Sequence, residues 1–194
     1  MQIKLLIPLT FFLLLYNVAI SQNEKSINRS VFPNTIEFDN QTLTLSGIGI
    51  RNKLWSDLYT QALYVSIPSN NAEVIINSDS KMSMLIHITS ALITSKKFSK
   101  TVNNSIKKTV GDEKWLTFKS ELDLLEKAIN NDQIVKDDVF NLIYNDEDNS
   151  IWIIKNGIVR GKIPSLEFKK AFFGIWLGPN PADENLKKDL LGLK

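Results

Sequence analysis

The sequence predicts an α+β domain, in which an antiparallel sheet carries a layer of helices on one face. Three observations predict it. Residues 81–89 alternate strictly, with Met82, Met84, Ile86 and Ile88 on one side and Leu85, His87 and Thr89 on the other. Residues 94–110 change to a helical period, placing Phe98, Val102, Ile106 and Val110 four apart with lysines between them. Asn156-Gly157 stands between two apolar runs, 151–155 and 158–163. That dipeptide supplies the two positive-φ residues of a tight hairpin, so the runs should pair antiparallel.

The elements follow in chain order. Residues 1–21 read as an export signal: Lys4 gives a positive start, 5–19 is an apolar run, and Ala19-Ile20-Ser21 fits a small-x-small cleavage site. The run is interrupted by Pro8, Thr10 and Asn17 and is shorter than the roughly 20 apolar residues a bilayer span needs. No stable membrane span is expected after cleavage, and the location expected is periplasmic or extracellular. Residues 22–30 are polar and read as a mobile lead-in, so the folded domain is placed at 31–194. Strands at 35–38 and 43–46 flank the turn-rich Asp39-Asn40-Gln41. A third strand, 58–67, ends at Pro68-Ser69-Asn70-Asn71, and 72–77 is a short helix. After the helix at 94–110, Gly111 is a stop and Asp112 should cap one further helix, with Trp115, Phe118, Leu122, Leu125 and Ile129 inward. Strands at 139–144, 151–155 and 158–163 come next, and Ser165 caps a helix running to Trp176. No internal repeat or second-domain boundary is visible.

Composition removes several chemistries. There is no cysteine, so disulfides, zinc–thiolate sites and thiol nucleophiles are excluded. The formal charge is +2, and losing Lys4 with the signal leaves +1, too little for a global field that selects nucleic acid. Lys96, Lys97, Lys100, Lys107 and Lys108 make one helix basic, which reads as the wet face of an amphipathic helix without interleaved aromatics. No phosphate cradle and no nucleophile elbow occur, and no cofactor is expected. His87 is the one histidine, so no metal site is expected; it reads as a packed or edge strand residue. Asp146-Glu147-Asp148 lacks the glycine and distant glutamate of a calcium loop and reads as a solvated hairpin tip.

The residues that could hold a ligand are fewer. Arg51 follows Gly47-Ile48-Gly49-Ile50, where glycines permit a tight turn and close packing; its fork can point inward to a carboxylate or lie on a hairpin surface. Strand alternation places Tyr59, Gln61, Leu63 and Val65 on one face and Thr60, Ala62 and Tyr64 on the other. At most one of the two tyrosines can share a pocket with Arg51, and pattern alone does not choose. No acidic residue lies within five positions of Arg51, Asp57 being six away, which leaves room for a ligand carboxylate.

Gly47-x-Gly49-x-Arg51, Leu58-Tyr59 leading to Ala62-Leu63-Tyr64-Val65, the Asn156-Gly157 hairpin and Phe172-x-x-x-Trp176-Leu177-Gly178 occur in a definite order, followed by Leu186-Lys187 and Leu190-Leu191-Gly192. Together they resemble the chalcone isomerase-like family in its bacterial short form, over residues 32–193. The resemblance implies an open-faced β-sandwich with a ligand cleft between sheet and helices. It implies that Arg51 matches the family's substrate-orienting arginine and that Tyr59 stands where isomerases carry a threonine. The catalytic tyrosine position falls at Phe98, the following asparagine falls near Ser105 beside Asn104, and the late-helix threonine has no counterpart in 171–176. The isomerase set is therefore mostly absent, and Arg51 with Tyr59 is similar to the fatty-acid-binding branch. The ligand site expected is Arg51, Tyr59 and Phe98, holding a fatty acid or similar apolar carboxylate. The alternative is an isomerase-type intramolecular lyase with an altered site, and a third reading is an exported protein-binding scaffold.

Overall fold

The computed structural model describes residues 24–53 and 55–193; the export signal expected at 1–21 lies outside them. A hairpin of β1 (Glu24–Ile27) and β2 (Ser30–Pro33) comes first, where polar composition predicts a lead-in. Long-range contacts hold it. The Ser30 hydroxyl lies 2.7 Å from His87 Nδ1 and accepts from Thr60 Oγ1 at 2.6 Å, while Phe32 is buried with Leu43, Ala62 and Tyr64. Residues 24–30, expected as a mobile lead-in, thus form β1, the turn and the start of β2.

Seven strands then form one antiparallel sheet whose spatial order is the chain order. They are β3 (Thr35–Phe38), β4 (Gln41–Lys53), β5 (Ser56–Val65), β6 (Met82–Ile88), β7 (Val139–Asn145), β8 (Ser150–Lys155) and β9 (Ile158–Pro164). Asn156 and Gly157 take φ of 50° and 77°, as their hairpin requires. Tyr59, Leu63, Met82, Met84, Ile86 and Ile88 belong to the main core, and Ala62 and Tyr64 to the smaller one on the opposite face, beneath the β1–β2 hairpin. The two tyrosines therefore point apart.

The described residues form six helices: α1 (Ala72–Asn77), α2 (Ser95–Val110), α3 (Asp112–Thr117), α4 (Lys119–Asn130), α5 (Leu166–Leu177) and α6 (Glu184–Leu190). The single helix expected after Gly111 is two. Phe118 leaves the helical region (φ −92°, ψ 19°) and packs its ring edge-on to Phe168 at 5.3 Å. Asp112 sits in the first turn of α3, and Gly111, at φ 83°, is the residue before it. α5 is the centre of the layer. Its Phe168, Phe172, Phe173 and Trp176 are all buried, and Phe172 makes ring contact with each of the other three. Burying each such ring stabilises by roughly 1.5–3 kcal/mol.

The segment 47–51, where glycines suggested a tight turn and close packing, is strand within β4, without the turn. Its glycines serve close approach. A Cβ on Gly47 would lie 2.0 Å from the Asp189 carbonyl oxygen, and one on Gly49 would lie 2.7 Å from Leu186 Cδ1. The absence of two side chains lets α6 rest directly on β4.

Lys169 is an ion buried among helices. Its Nζ donates to the carbonyls of Ile75 (3.0 Å), Ile76 (2.8 Å) and Ser78 (2.7 Å), closing the C-terminal end of α1. Burial pushes its ammonium down to about 8, with Asp79 opposing. Lys169→Met should orphan these carbonyls and lower stability by about 2–3 kcal/mol in urea unfolding. Between about pH 8 and the ordinary lysine value of 10.5, the unfolded chain binds the proton that the folded chain has released. Stability from this group therefore rises with pH across that window, and the wild-type advantage over Lys169→Met should widen there.

Candidate ligand site

β4 and β5 run in register so that Arg51 faces Tyr59 directly, on the helical side of the sheet. Above them the layer parts. A cavity of about 560 Å³ opens between this end of the two strands, α2, the C-terminal end of α5 and the segment 180–182. Leu58, Ile93, Phe98, Val102, Ile175 and Trp176 give it apolar walls. Its volume falls in the usual range for small-molecule sites, roughly 300–1,000 Å³. All three expected site residues, Arg51, Tyr59 and Phe98, line it. Phe98 is stacked on Phe140 at 5.8 Å, a purely apolar contact.

Arg51 is partnered, contrary to the expectation drawn from its neighbours in sequence. Its Nη1 donates to Asp183 Oδ2 at 2.7 Å and to the Asn52 carbonyl at 2.9 Å. Asp183 is 132 positions away, which a local window cannot see. It caps α6: its Oδ1 accepts from the backbone N–H of Asn185 (2.9 Å) and Leu186 (3.1 Å), turning Oδ2 to the arginine. The pair is about four-fifths buried, with side chains 20% and 18% exposed. A guanidinium has five N–H donors, and these two bonds leave others for a ligand.

Tyr59 is held by α5. Its hydroxyl accepts from Trp176 Nε1 at 3.0 Å, which leaves its own proton to donate. Burial pushes the phenol's pKa up, opposed by the Trp176 donor and the Arg51 charge and assisted by Asp183. At neutral pH it is an uncharged donor beside a cation.

Lys53, Lys97 and Lys108 also line the cavity, and no carboxylate does. Among the described residues none of these three lysines has an acidic partner. Two of them belong to the helix face read from sequence as merely wet. In α2 the positions 97, 101, 105 and 108 share one stripe, and the end of α5 leaves that stripe facing an opening. Ser105 is on this stripe and Asn104 is exposed beside it. Asp183 and Trp176 were the residues missed. A capping signature at Ala182-Asp183-Glu184 was the available signal for the first; nothing local marks Trp176 as the partner of Tyr59.

His87 stays out of this cavity, between Ser30 and Asp137 (3.6 Å). A second hollow of similar volume lies on the far side of α5, but its cations are engaged: Glu167 takes Lys114 (3.0 Å) and Lys170 (2.6 Å), and Lys187 donates to the Gly178 carbonyl. The Asp146–Asp148 tip is tied to Lys81 and Lys162. No described helix is long and apolar enough to cross a membrane.

A model of the chalcone isomerase-like family matches residues 24–192. Among solved structures, the fold is similar to the crystal structure of an Arabidopsis thaliana fatty-acid binding protein. The TM-score is 0.67 at 18% identity, over 84% of this chain and 91% of that one. No curated protein matches the sequence.

Proposed function

We propose, from the premise that this chain belongs to the chalcone isomerase-like family, that it is an exported binder of a fatty acid or similar apolar carboxylate. One observation carries the reading: a cavity with apolar walls holds a guanidinium and a neutral phenol on facing strand positions, with three further cations and no acid on its lining. An alkyl chain would take the apolar walls, and the carboxylate would accept from Arg51 and Tyr59. A carboxylate leaving water needs such charge-assisted bonds, or the transfer costs several kcal/mol. The similarity of fold to a fatty-acid binding protein supports the reading at the level of architecture.

Displacement of a fluorescent fatty acid from delipidated protein tests it. A free fatty acid should compete at least tenfold better than its methyl ester, because the ester cannot form the charged bonds, each contributing about 1.5–3 kcal/mol. Equal competition would defeat the reading. Chalcone cyclisation, followed by loss of visible absorbance, should stay at the spontaneous rate. Phe98 offers no hydroxyl to a substrate ketone, and the late-helix stretch 171–176 has none either.

A further inference from the structure

Three of the four tryptophans are held by the fold. Trp176 bonds Tyr59, Trp152 lies edge-on to Phe38 at 5.2 Å, and Trp115 donates to Asn103 at 2.7 Å. Trp55 is different. It sits at the tip of the β4–β5 hairpin, fully exposed, with φ at 67°, a left-handed backbone that a bulky side chain rarely adopts. The legs of that hairpin, Lys53 and Ser56, form part of the cavity lining just described. Leu92 stands on the facing loop, also lining the mouth and 57% exposed. That loop is tied to the hairpin base, since the N–H groups of Thr89 and Ser90 both donate to the Leu58 carbonyl. Two unburied apolar side chains thus flank one opening.

The charged side chains that line the cavity are all cationic. Lys53 and Lys97 line it, with Lys97 Nζ 3.5 Å from the Leu92 carbonyl; the exposed Lys108 also lines it, and Arg51 does so paired with Asp183. The acid on the hairpin, Asp57, accepts from the Asn28 side chain at 2.8 Å. An exposed indole on a hairpin that carries Lys53, with Lys97 on the same opening, matches a lipid–water interface, where the ring sits among headgroups and the ammonium groups meet anionic phosphates.

We propose that this hairpin tip and the Leu92 loop dock on an anionic lipid surface, so that the cavity exchanges its apolar ligand with a membrane rather than with water. The exchange rests on the binding function proposed above; the docking stands on Trp55, Leu92 and the lysines alone. The occupant is a bilayer because the patch is two projecting apolar groups with lysines on the same opening, complementary to a negative plane.

Co-sedimentation with vesicles decides it, using equimolar phosphatidylcholine and phosphatidylglycerol against phosphatidylcholine alone. The protein should partition at least tenfold better onto the anionic vesicles, more weakly as salt rises, with a blue shift of tryptophan emission. Trp55→Asn, whose new residue accepts a left-handed backbone, should lose the blue shift and about tenfold in partition. Lys53→Glu with Lys97→Glu should lose the preference for anionic vesicles. No partition, equal partition of Trp55→Asn, or equal partition onto neutral vesicles would overturn the proposal; so would retention by a protein partner instead. Fatty-acid displacement in vesicle-free buffer is read separately, and there Trp55→Asn should match the wild type. Docking without fatty-acid uptake would defeat the binding function and support the surface. Uptake without docking would defeat the surface alone.

Discussion

Gly47→Val should destabilise the protein by about 4 kcal/mol or more, a loss confined to severe core disruptions. The Cβ alone would stand 2.0 Å from the Asp189 carbonyl oxygen and 2.7 Å from that of Leu190. Both are backbone atoms, so no rotamer change relieves the clash. Gly47 pairs with Leu63 inside the sheet, which prevents β4 from retreating. α6 must lift instead, taking the buried Leu186 and Leu190 out of the core. Small domains have only about 5–15 kcal/mol in hand, so the urea midpoint should fall by a large fraction. Gly47→Ala should already show most of the effect, since the clash begins at Cβ. An unchanged midpoint in either variant would mean that α6 does not rest on β4 as described.

Arg51→Ala should weaken fatty-acid binding by tenfold or more. The substitution removes the charged fork from the cavity lining and leaves Asp183, a carboxylate that would repel the ligand's own. Arg51→Lys should recover part of the loss, because it restores charge without the planar fork. Tyr59→Phe should cost less than Arg51→Ala, as it deletes one neutral donor. Asp183→Asn should strengthen binding, since asparagine still caps α6 but no longer competes for the guanidinium. Displacement titrations on the four variants give the order. Equal affinity in wild type and Arg51→Ala would remove the arginine from the site, whatever the ligand.

Local pattern revealed most of the architecture because most of it is local. Every sheet neighbour is a sequence neighbour, so alternation, turn residues and helical stripes suffice to order the strands. The site was legible only in part. Arg51, Tyr59 and Phe98 could be singled out by type and by resemblance, and they do share a cavity. What surrounds them could not. Arg51 with Asp183 and Tyr59 with Trp176 are pairings over 132 and 117 positions, and no periodicity encodes them. The same blindness hid Ser30, whose contacts with Thr60 and His87 turn a polar lead-in into a strand. The glycines were half legible, for a different reason. In sequence a Gly-x-Gly reads equally as a turn or as a place where another backbone comes close, and only α6 reveals which.

The docking of α6 on β4 also fixes when Arg51 gains its carboxylate during synthesis. Residues 35–177 already contain the whole sheet and the helix carrying Trp176, so a nearly finished chain can lay down its core in the order it emerges. The arginine's carboxylate and the helix covering Gly47 arrive only with residues 183–190. A chain that stops before Asp183 has a core but lacks the clamp that orients Arg51. The last dozen residues therefore carry two things at once, the carboxylate that orients Arg51 and the buried Leu186 and Leu190 that close the core over β4.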